Sequence, residues 1–99
     1  MNTCSEIAIF NVPAVNIQRV IELSLLIFKE INAVDSLILS HEILQKTDDK
    51  ESICWLLTWV NQAAVKQVAE NWATLPNTRE LETLVSEKVY YGHFGKILK

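Results

Sequence analysis

Two histidines, a cluster of aromatic residues and two cysteines are the side chains here that could carry chemistry. His41 is polar on a strand face otherwise made of Leu37, Leu39 and Ile43. An imidazole there could exchange protons with a bound molecule or donate to an oxyanion. A hydrogen-bonded structural histidine satisfies the same pattern. His93, beside Tyr91 and between Gly92 and Gly95, is the second catalytic candidate; a surface or interface residue is its plainer reading. Trp55 and Trp59 share a face at the two-residue period of a strand, and Tyr90 or Tyr91 joins them according to the register of the last strand. Such residues pack cores, and they also build flat walls that stack on planar substrates. Cofactor-free oxygenation needs little more, because the substrate carbanion itself reduces oxygen while the protein desolvates and orients it.

Other chemistries lack their residues. Cys4 and Cys54 form no CxxC and no zinc spacing with histidine, so they read as a free thiol and a small buried hydrophobe in a reducing cytosol. Asp48, Asp49 and Glu51 lie in a polar turn without a liganding pattern, and no glycine loop cradles phosphate. No metal or cofactor is expected. The net charge of −3 and the scattered basic residues exclude a nucleic-acid binder. The longest apolar run, Leu23 to Phe28, is too short to cross a membrane.

The elements that must position these groups run strand, helix, strand, strand, helix, strand. The 99 residues, 49% hydrophobic and 21% charged, make one domain, 1–99. Glu6 to Val12 is the first strand, ended by Pro13. Asn16 caps a helix over 17–33, with Ile17, Val20, Ile21, Ser24, Leu25, Phe28 and Ile31 as its core stripe and Leu23 and Leu26 opposite. Asp35 to Lys46 pairs with the next strand through a turn at Thr47 to Glu51. Asn61 caps a second helix that buries Val65, Val68 and Trp72. Asn77 and Glu80 have capping-box spacing before a short helix to Leu84. Ser86 to Phe94 closes the chain, with a bend expected at its glycines.

The third strand is apolar on both faces: Ile53, Trp55, Leu57 and Trp59 on one, Cys54, Leu56 and Val60 on the other. The order of elements predicts the fold class α+β, a ferredoxin-like βαββαβ chain with one antiparallel four-stranded sheet and both helices on a single face. The open face, still oily, would be covered by a second copy in a homodimer.

The block Trp59-Val-Asn-Gln-Ala-Ala-Val-Lys-Gln-Val, then Leu75-Pro76, the short helix and the last strand, resembles the antibiotic-biosynthesis-monooxygenase group of dimeric α+β barrels. The resemblance covers about residues 6–96. It implies two protomers joined face to face around an apolar cavity, lined by Asn11, Trp55, Trp59, Tyr90 and Tyr91. The group includes cofactor-independent oxygenases of aromatic polyketides and quinols, and haem-degrading enzymes. In the haem-degrading branch Asn11 and Trp72 would match, but position 82, where a His ligand would stand, is Glu. Haem is therefore not implied.

Two functions remain open. One is a small oxygenase- or isomerase-like enzyme acting on aromatic or quinol-type compounds, with His41 and the aromatic wall around the substrate. The other is a non-catalytic dimer that binds a small apolar ligand or a protein partner.

Overall fold

The computed structural model describes residues 2–98. Strand β1 (Cys4–Asn11) leads through a single 3-10 turn into helix α1 (Ile17–Ile31); β2 (Ile38–Lys46) and β3 (Asp49–Trp59) form a hairpin. Helices α2 (Gln62–Asn71) and α3 (Thr78–Leu84) precede β4 (Glu87–Gly95). The sheet order is β2-β3-β1-β4, with every neighbouring pair antiparallel. Each strand-helix-strand unit thus skips one position, the split arrangement of the ferredoxin-like fold. The expected fold class is what the chain adopts.

The faces of β1 and β3 follow the pleat. Cys4, Glu6, Ala8 and Phe10 stand opposite Trp59, Leu57, Trp55 and Ile53, and all eight are buried beneath the helices. Ile7 and Ile9, opposite Leu56 and Cys54, occupy the other face, which no helix covers; they are half-buried. An extra residue in β2, Leu39, breaks the alternation between Ile38↔Trp59 and Ser40↔Thr58. Ile38 and His41 therefore share the helix side, contrary to strict alternation, and Leu39 is 54% exposed.

Helix α1 sits rotated from the expected stripe. Its buried residues are Val20, Leu23, Ser24, Ile27, Phe28 and Ile31, an i, i+3, i+4, i+7 set that runs without a gap. Leu23 is fully buried and Leu25 is 47% exposed, the reverse of the sequence reading. Ser24 can lie in the stripe because its hydroxyl donates to Val20 O at 2.7 Å and accepts the Trp55 indole N–H at 3.0 Å. Satisfied in this way, a buried hydroxyl carries no desolvation penalty large enough to turn the helix.

The caps are mixed. Asn61 does cap α2, its side chain accepting from Ala64 N at 2.8 Å. Asn16 does not cap α1; it donates instead to Leu84 O, tying the start of α1 to the end of α3. Asn77 forms no capping box either, since its amide reaches Glu30 while Glu80 pairs with Arg19 at 2.7 and 2.9 Å. Both substitutions trade a local bond for one that fastens α3 to α1. Asn32 organises the entry to β2, accepting from Leu37 N and Ile38 N and donating to Ile38 O. The irregularity of β4 falls at Val89, where the register shifts between Ile9↔Tyr90 and Phe10↔Lys88, and not at the glycines.

Candidate functional site

A cavity of about 380 Å³ lies between the sheet and helices α2 and α3, within one protomer. It is therefore on the helix side of the sheet, and not on the open face where closure of a dimer was expected to create it. Trp55, Trp59 and Leu57 of β3, Ala8 and Phe10 of β1, and Val65, Val68 and Trp72 from the helical side form much of its wall. The size suits a small ligand. Exposed Glu82 and Lys88, 3.4 Å apart, lie where the wall meets solvent.

The three tryptophans present carbon to this space. Each indole N–H already has an acceptor: Trp55 on Ser24 Oγ, Trp59 on Glu6 Oε1 at 3.1 Å, and Trp72 on Glu82 Oε1 at 2.9 Å. Phe28 packs edge-on against Trp55 with centroids 4.8 Å apart, and Phe10 does so at 5.6 Å. These contacts fix the Trp55 ring from two sides, as edge-to-face aromatic packing favours.

One buried charged side chain interrupts the apolar lining. Glu6 is 4% exposed, with Cys4 and Ala8 beside it on the same face of β1 and Leu57 opposite it on β3. His93 stands directly opposite it on β4, Nε2 3.0 Å from Oε1, and donates when that nitrogen carries the proton. Burial pushes the Glu6 carboxyl up, opposed first by the hydrogen bond and charge of His93 and then by the Trp59 indole. A carboxylate held this way can accept a proton or a hydrogen bond from a ligand. Glu6 was not singled out from the sequence. The available signal was its phase, since it alternates with Ala8, Phe10 and Val12 on the side that proves to be buried.

The candidates separate accordingly. Trp55, Trp59, Tyr90 and Tyr91 border the cavity. The Tyr91 ring packs edge-on against His93, whereas the Tyr90 ring stacks towards Phe94 on the opposite side of β4. Gly92 makes that possible: a Cβ there would lie 2.6 Å from the Tyr90 hydroxyl. His93 reaches the site through Glu6, without lining the cavity itself. His41 does not reach it; exposed on edge strand β2, it packs against Phe28 with ring centroids 5.0 Å apart. Asn11 is also elsewhere, donating to Glu87 at 3.0 Å on the open side. The two histidines do not converge. Asp49 and Glu51 are engaged locally, with Asp49 accepting from Glu51 N and Glu51 from Ala14 N. The Cys54 thiol, on the open face, is pushed up by burial and stays protonated.

With this geometry in hand, likeness to solved structures decides the fold. A variant of SnoaB, a cofactor-independent oxygenase from Streptomyces nogalater, superposes with a TM-score of 0.78 at 15% identity, covering 98% of this chain and 95% of that one. The chain has the antibiotic biosynthesis monooxygenase fold. A Caulobacter crescentus protein provisionally described as such a monooxygenase gives 0.76 at 8% identity over 98% and 92% of the two chains. One from Chloroflexus aurantiacus, described in the same way, gives 0.70 at 13% identity over 98% and 95%. No protein-family model matches the chain, and no curated protein matches it in sequence. Among the described residues, no helix is long and apolar enough to cross a membrane.

Proposed function

We propose that the protein binds a small planar aromatic compound in the cavity between sheet and helices and oxygenates it without a cofactor. The observation that carries this reading is a buried carboxylate set into a wall of aromatic and aliphatic side chains, where it can take the proton that makes such a substrate electron-rich. The reaction fits an aromatic ring system bearing an acidic methylene beside a carbonyl, or the corresponding quinol. Glu6 accepts a proton; the substrate anion passes an electron to dioxygen, and the two radicals combine in a C–O bond. Glu6 returns its proton to the peroxide anion so formed, and the hydroperoxide loses water to leave a carbonyl, so one dioxygen is consumed for each methylene converted and one water is released. The wall of Trp55, Trp59 and Trp72 excludes water from the anion and orients it. The fold shared with a cofactor-independent oxygenase supports the reading.

A second copy covering the open face belongs to the same proposal. Ile7, Ile9, Cys54 and Leu56 form an apolar strip there, flanked by Leu44 and Phe94, both more than 40% exposed. Two such strips closing on each other would form the barrel, and the free cysteines suit a reducing cytoplasm.

The test is oxygen uptake by the metal-free, flavin-free protein with anthrone and with naphthalene-1,4-diol, corrected for the heat-denatured protein. Uptake well above that background, with one carbonyl formed per dioxygen from anthrone, supports the oxygenase. Binding of these compounds with uptake no faster than background would instead establish a non-catalytic ligand-binding protein.

A further inference from the structure

We infer that the cavity selects neutral planar ligands carrying a hydroxyl group, and that Glu6 Oε2 is the atom that recognises it. The inference rests on the cavity being the binding site, as proposed above, and adds the chemistry of what it admits. Both hydrogen bonds to the Glu6 carboxylate, from Trp59 Nε1 and from His93 Nε2, arrive on Oε1. Among the described residues Oε2 has no hydrogen-bond partner, yet it is not a sealed orphan of the kind found at Glu30 Oε1. It keeps access to open space on a side chain that is itself 4% exposed and lines the cavity.

The rest of the wall supplies little competition for a polar ligand. The three indole N–H groups are occupied, the aliphatic lining offers nothing to a donor, and the remaining polar groups of the wall, the Tyr90 and Tyr91 hydroxyls and the Glu82–Lys88 pair, belong to exposed residues that keep their contact with water. A ligand hydroxyl would give Oε2 the bond it lacks. A ring without a hydroxyl would cover Oε2 and leave it desolvated, which is the more costly error. A ring bearing a carboxylate would place a second negative charge beside Glu6. His93 and Trp59 act as positioning residues, because they hold Oε1 and so determine where Oε2 lies.

Equilibrium dialysis of the full chain at neutral pH with 2-naphthol, naphthalene and 2-naphthoate separates these cases. The expected order is 2-naphthol tighter than naphthalene by about tenfold or more, the usual scale for a hydrogen bond to a charged acceptor, with 2-naphthoate weakest. In Glu6→Gln an oxygen remains for Trp59 and His93, but the open position becomes an amide donor. The preference for 2-naphthol should then shrink to within about threefold, and 2-naphthoate should gain. Equal binding of 2-naphthol and naphthalene to the wild type would overturn the hydroxyl inference while the cavity reading stands. A preference that persists in folded Glu6→Gln would also overturn it. Failure of all three probes to bind would bring down both readings.

Discussion

Glu6 and His93 face each other across β1 and β4, carboxylate Oε1 3.0 Å from imidazole Nε2, and Glu6 is the one buried charged side chain in the cavity wall. The pairing explains how a carboxylate persists under the helices. Burial alone would favour its neutral form, and His93 and the Trp59 indole offset that cost.

The raised Glu6 carboxyl has a consequence for stability against pH. Its ordinary value is 4.5, and burial lifts it in the folded chain. The folded state then binds the proton more tightly than the unfolded state. The stabilisation is present in full below the unfolded value and is lost as the pH rises through the folded one. Relative to Glu6→Gln, the wild type should lose thermal stability as the pH rises above 4.5. Unfolding midpoints measured across a pH series would show two converging or crossing curves; parallel curves would contradict the assignment.

Leu23 lies at the centre of the α1 contact with the sheet and is fully buried. Leu23→Ala should cost about 2–5 kcal/mol, as for other leucines in close-packed cores. Leu25→Ala, at a site 47% exposed in the protomer, should cost far less. Urea denaturation of the two variants would decide between this stripe and the rotated one that simple spacing suggests.

Trp72 forms part of the cavity wall, with its ring centroid 6.5 Å from that of Trp55. Trp72→Leu should weaken 2-naphthol binding by roughly three- to tenfold, the scale of one lost aromatic contact. His41→Ala should leave binding and oxygen uptake within about twofold of wild type, because His41 packs on Phe28 outside the cavity. A large loss of turnover in His41→Ala would restore it as a catalytic candidate.

Ile7 and Leu56 pair across the centre of the open face. The wild type should sediment as a dimer, and Leu56→Lys should yield a folded monomer, since a charge at the centre of an apolar interface goes unpaired. A wild type that sediments as a monomer at micromolar concentration would remove the second copy from the proposal. The cavity would survive, because its walls come from one protomer.

Much of the fold was legible because strand pattern and element order are local facts. The doubly apolar run of β3 could be read from Ser52 to Val60 alone, and the single-sided placement of the helices from the order of elements along the chain. The bulge at Leu39 could not, and it puts His41 on the same side of the sheet as Ile38, which strict alternation keeps apart. Helix α1 shows a similar limit: spacing placed Ser24 in the stripe, but the rotation that buries Leu23 in place of Leu25 was not legible, and the Trp55 indole that satisfies Ser24 is 31 residues away in sequence. The aromatic wall was visible in residue type, but its polar centre was not. Glu6 looks like the polar start of a strand until β4 brings His93 opposite it, and that pairing spans 87 residues.

The most direct test is to titrate the ¹⁵N-labelled chain with 2-naphthol and follow its three tryptophan indole signals, those of Trp55, Trp59 and Trp72. The account predicts that all three move, Trp59 most strongly because its indole shares the Glu6 carboxylate. Stationary indoles, with shifts confined to the backbone amides of Ile7, Cys54 and Leu56, would place the ligand on the open face and contradict it.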